Sequence, residues 1–94
     1  MSKERRRKEK YIADCLGMID YDHFIDFKRN AAAGMYEFGN NFIRALSTAL
    51  IMASDEDAVK IIRIWQNDCT QCEMMYRIKK AKEKSYILSE EDGA

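Results

Sequence analysis

The residues in this chain with the widest chemical reach are three cysteines and one histidine. Cys69-x-x-Cys72 places two thiols about one helical turn apart. With Cys15 and His23 they make a Cys₃His set, the donor count of a structural zinc site. Thiol–disulfide exchange and plain packing are the competing readings. Redox Cys-x-x-Cys pairs sit where a loop following a strand meets a helix N-terminus, but here no strand pattern precedes the pair. Zinc ligands usually come as two close pairs, and Cys15 and His23 form no second pair with ligand-like flanks. The expectation is therefore that these cysteines serve as small apolar side chains, with no metal and no other cofactor. His23 lies among Asp20, Asp22 and Asp26, yet no nucleophile accompanies it for general-base work. There is no glycine-rich phosphate loop and no Ser-His-Asp grouping with familiar flanks. No catalytic residue is assigned, and an enzyme is not expected.

Two sets of side chains could instead recognise a macromolecule. Arg5, Arg6, Arg7, Lys8 and Lys10 form a basic arm that could neutralise phosphates in nucleic acid. The formal net charge of +0 removes any global attraction to polyanions, so that reading rests on the arm alone. The second set is Met74, Met75, Tyr76 and Ile78. They span more than one face of a helix, so some of them are expected to stay outside the core as a partner interface or a self-association seam. The plain alternative is that the first helix covers them.

The elements that must position these residues are helices. The chain of 94 residues has no proline and four glycines, too few turn residues for a sandwich or barrel. Within residues 38–65, Phe38, Phe42, Ala45, Leu46, Ala49, Leu50 and Ala53 recur at helical spacing. Ser54 then stands before Asp55, Glu56 and Asp57, a helix start with acids beside its positive end. Val59, Ile61, Ile62 and Trp65 resume the stripe. So short a connection predicts an antiparallel hairpin whose two helices bury each other's faces. The expected fold is one all-α domain over residues 1–94, three or four helices built on that hairpin with a long C-terminal helix.

Around it, Tyr11, Ile12, Cys15, Leu16 and Ile19 share one helical face, and Gly17 is where that helix is expected to stop. Residues 1–10 are a basic arm or a frayed helix start. Another helix is expected over 22–33, with Asp20 or Asp22 as cap and Gly34 as the left-handed residue just past its end; the alternative is that Phe24, Ile25 and Phe27 form an extended piece lying on the core. Asn40 or Asn41 would cap the next. Beyond Trp65 the phase continues through Cys69, Cys72, Tyr76 and Ala81, predicting one long helix to about Lys84. A break near Asn67 is the alternative, since Thr70-x-x-Glu73 reads as a capping box. Residues 85–94 read as a disordered acidic tail. The longest uncharged run, ten residues from Ala45, is about half of what a membrane-spanning helix needs. No secretory signal is read, and the odd thiol count fits a reducing cytoplasm.

The central stretch resembles small helical proteins encoded by phages and prophages of Gram-positive bacteria. The matching residues are Phe42, Ala45-Leu46, Ala49-Leu50, Ala53, Asp55, Lys60-Ile61-Ile62 and Trp65. Such proteins often carry a proline after the second helix, where this chain has Gln66. The resemblance implies an accessory protein in the host cytoplasm, without a particular reaction or transferable site residues. The expected function is stoichiometric binding to a host protein or complex, an anti-CRISPR-like inhibitor of host defence being one member of that class. The alternative is a small nucleic-acid-binding or transcription-regulating protein that uses the basic arm. No membrane partner is expected, and a homodimer is compatible with either.

Overall fold

In the computed structural model, residues 3–93 are described, with side chains through Ser85. Five helices follow in order: α1 (Lys3–Cys15), α2 (Tyr21–Phe38), α3 (Asn41–Met52), α4 (Asp55–Ile64) and α5 (Gln66–Gly93). The fold is all-α and bundle-like, and no described helix is long and apolar enough to cross a membrane.

Each boundary has a local cause. α1 closes with a Schellman turn. Met18 N–H donates to Ala13 O at 2.9 Å and Gly17 N–H to Asp14 O at 3.1 Å. Gly17 supplies the φ of +65° that this turn requires. Asp20 caps α2 by accepting from His23 N–H at 2.8 Å, and Asn40 caps α3 by accepting from Ile43 N–H at 2.9 Å. Ser54 accepts from Asp57 N–H at 3.2 Å to start α4. These three caps stand where the sequence places them.

α2 is longer than the expected 22–33 because Gly34 is not its terminator. Gly34 lies buried inside the helix, facing the backbone of α5 so closely that a Cβ would meet Cys72 O at 2.1 Å. Its lack of a side chain serves close packing, and α2 ends instead at Gly39, whose N–H returns to Met35 O at 3.0 Å.

The helical run is interrupted at Trp65 itself (φ −108°, ψ 37°), where α4 ends, and from Gln66 on α5 is continuous, without the alternative break near Asn67. Thr70-x-x-Glu73 is no cap. It lies within α5, and Glu73 reaches forward to Arg77 at 2.7 Å. α5 continues helically through the stretch expected as an acidic tail, whose side chains beyond Ser85 lie outside the described residues.

The core is arranged around α2 rather than around an α3–α4 hairpin. α2 makes its broadest contact with α5 and the next broadest with α3, whereas α3 and α4 touch sparingly. Two bonds from side chains to main chain hold α3 along α2. Arg44 donates to Tyr36 O at 2.9 Å, and Lys28 donates to Ala53 O at 3.1 Å. That docking selects which half of the α3 stripe is buried. Leu50 and Ser47 go in, with Ile43 and Leu46 packed against the core, while Phe42, Ala45 and Ala49 stay exposed. In α1, Ile12 is buried as the spacing predicts but Tyr11 is not, and Ile19 lies beyond the end of the helix and is exposed.

Phe24, Met35, Leu50, Ile12 and Cys69 are the largest side chains fully enclosed. Each of the first four contributes about 1.5–3 kcal/mol by leaving water. α2 and α5 run in the same direction. Phe27 and Thr70 share one cavity wall, Gly34 sits on Cys72, and Phe38 shares another wall with Ile78 and Lys82.

α4 is tied across the start of α2 by Tyr21, whose hydroxyl donates to Asp55 Oδ2 at 2.7 Å. Burial first, then this bond and the Asp55 charge, push the phenol up from 10.0 to about 12. The unfolded phenol titrates near pH 10. The stability carried by the neutral phenol is therefore complete below that pH and is lost as pH rises toward the folded value. Thermal unfolding at rising alkaline pH checks this. The stability advantage of the wild type over Tyr21→Phe is expected to shrink across that window; a constant difference would mean the bond does not form.

Candidate partner-binding groove

The cysteine and histidine set is not assembled. Cys69 is fully buried with its sulfur 3.9 Å from that of Met35. Burial pushes its thiol up to about 11, with the charges of Asp68 and Cys72 adding in the same direction. Cys72 is also raised, by burial first and then by Asp68. A raised thiol stays protonated at neutral pH, whereas the thiolate is the form that attacks disulfides. Cys15 and His23 line a separate cavity below the α1–α2 turn, beside Met18, Phe27 and Ile62. His23 Nδ1 is occupied there by Ile19 N–H at 3.3 Å. Among the described residues, no three His, Cys, Asp or Glu side chains gather as a metal would require.

The basic arm is the first part of α1, and its cations are exposed but interleaved with acids. Arg5 pairs with Glu9 at 3.3 Å, and Lys8 pairs with Glu56 of α4 at 3.0 Å. The Glu56 carboxyl is held low by its own backbone N–H and by Lys8. Arg6 and Lys10 share a hollow with Glu9, Asp14, Asp20 and Asp22, so a phosphate entering there would meet carboxylates. Arg7 is exposed on the same helix.

The four apolar residues proposed as an interface are divided by the structure. Met75 and Ile78 are 43% and 49% exposed. They line an open groove with Phe38, Lys79, Lys82 and Glu83. Met74 lies to the other side, in a more polar hollow with Gln66, Asn67, Thr70 and Gln71. Tyr76 is half-buried, with the Lys80 ammonium 5.4 Å from its ring centroid. α1 packs on α2 and α4, so it is not the cover for this face.

Phe38 was the residue sequence reasoning misplaced. Its spacing joins the α3 stripe, but the chain turns at Gly39, so it belongs to the end of α2 and projects toward α5. The groove is fixed from both sides. Lys79 pairs with Glu37 of α2 and, at 3.7 Å, with Glu83, which raises the ammonium above its ordinary value. Lys82, on the groove wall, makes no ion pair among the described residues. The result is an apolar trough with Lys82 at one edge.

Comparison with protein-family models, with curated proteins and with solved structures finds no match to this chain.

Proposed function

We propose that the protein acts by stoichiometric binding, taking an amphipathic helix of a protein partner into the groove between the end of α2 and α5. The observation that carries this reading is the exposed set of Phe38, Met75 and Ile78, three large apolar side chains beside Lys82, which makes no ion pair among the described residues. A partner helix presenting apolar residues at i and i+4 would bury these side chains, and an acid on its flank would meet Lys82. The resemblance of the central third to phage-encoded proteins points to a host protein or complex as the target, a defence complex being one such target. The nucleic-acid reading has less support, because Glu9, Glu56, Asp14, Asp20 and Asp22 surround the arm's cations.

Affinity capture from host lysate, with and without nuclease and at two salt concentrations, tests this. A defined protein is expected to be retained after nuclease treatment. Met75→Glu is expected to abolish its capture while helicity and thermal midpoint stay close to wild type, because Met75 is a surface residue. Capture that disappears with nuclease and falls steeply with salt would instead assign the function to α1. Capture undiminished in Met75→Glu would remove the groove from the account.

A further inference from the structure

α3 carries a second apolar surface that the core does not use. Phe42 and Met52 are 54% and 80% exposed, and Ala45 and Ala49 between them are exposed as well. The steps along this stripe are three, four and three residues, the a/d spacing of a heptad seam. The order is large, small, small, large, and it reads the same from either end. Phe42 and Met52 are equidistant from position 47, and so are Ala45 and Ala49.

We propose that this seam is where a second copy of the chain docks, pairing α3 with α3 antiparallel about a two-fold axis at position 47. A two-fold interface must be complementary to itself, and a palindromic stripe has that property. Phe42 of one copy faces Met52 of the other, and each Ala45 faces an Ala49. The alanines let the two helix axes approach to the short end of the usual range, about 8 Å, while Phe42 and Met52 fill the ends.

The charge distribution favours the same occupant. Arg44 is the one charged residue in α3. It is turned away onto Tyr36, donating to its carbonyl at 2.9 Å and lying 5.6 Å from its ring centroid. Asn41 and Thr48, beside the seam, are neutral. Two copies can therefore approach without opposing like charges. The α2–α5 groove differs, being edged by the charged side chains Lys79, Lys82 and Glu83. Trp65 extends the seam at one side, its ring edge-on to Phe42 with centroids 5.2 Å apart. The seam is separate from the groove, so dimerisation stands or falls independently of the binding function.

α3 is 12 residues long, about 18 Å, and its seam is small beside the ~800 Å² per partner of a standard interface. The dimer is accordingly weak and concentration-dependent. Sedimentation equilibrium of the full chain across a wide concentration range tests it. The weight-average mass is expected to climb from the 11.0 kDa of one chain toward twice that value. Ala49→Glu, which buries a carboxylate at the crossing, is expected to hold the mass at one chain with helicity unchanged. A wild type that stays monomeric throughout overturns the proposal. So does a dimer indifferent to Ala49→Glu, which would lie on another face.

Discussion

Gly34→Ala is expected to lower stability by about 3 kcal/mol, the upper end of what overpacking normally costs, although alanine is the better helix former by about 1 kcal/mol. The reason lies in what the new methyl would strike. An ideal Cβ at Gly34 falls 2.1 Å from Cys72 O and 2.7 Å from Cys72 C. These are main-chain atoms inside α5, so no rotamer change relieves the clash. α5 must move away from α2, and the buried contact of Met35 with Cys69 loosens with it. Urea unfolding checks this: the midpoint should fall while the slope stays the same. The variant also tests the groove, because Phe38 meets Met75 and Ile78 only while α5 is seated on α2. Wild-type stability in Gly34→Ala would mean that the two helices do not lie this close.

Phe24→Ala is expected to cost about 3–5 kcal/mol, the usual range for deleting a buried aromatic side chain. Phe24 is 0% exposed and lies among the core residues, its ring 5.8 Å from that of Tyr21. Total stability for a domain of this kind is about 5–15 kcal/mol, so the loss removes a large share of it. Each kcal/mol lowers the thermal midpoint by about 4–8 °C at this chain length. Calorimetry should therefore show a fall of more than about ten degrees. A fall of only a few degrees would place Phe24 at the edge of the core rather than inside it.

Phe24 also shows where sequence reasoning runs out. It stands in a segment in which acids alternate with aromatics, a pattern that also fits extended chain although the spacing favours a helix. Asp20 decides the matter by capping, a local signal that was readable. The caps at Asn40 and Ser54 were readable for the same reason, since each depends on residues within three positions. The stop at Gly17 was legible because only glycine readily holds a left-handed backbone. Gly34 looks like the same kind of signal and is not. Its role is set by Cys72, far away in sequence, and nothing local distinguishes a terminating glycine from a packing one.

The α3 stripe failed for a related reason. Phe42, Ala45 and Ala49 are as apolar as Leu46 and Leu50, and only the docking of α3 on α2 decides which are enclosed. The groove was half legible. The crowding of Met75 and Ile78 with other apolar residues marked an outer surface on α5. Phe38 could be added only once the turn at Gly39 assigned it to α2.

The parallel course of α2 and α5 has a consequence for how the chain is made. Met35 and Cys69, in contact at the centre of the molecule, are separated by 34 residues. α3 can fold back on α2 as soon as it emerges, because its anchors are close in sequence. The α5 side of α2 has no such early cover. At a synthesis rate of about 5–20 residues per second, Cys69 follows Met35 by roughly two to seven seconds. For that interval the apolar strip that includes Gly34 and Met35 is without α5, the helix that closes it.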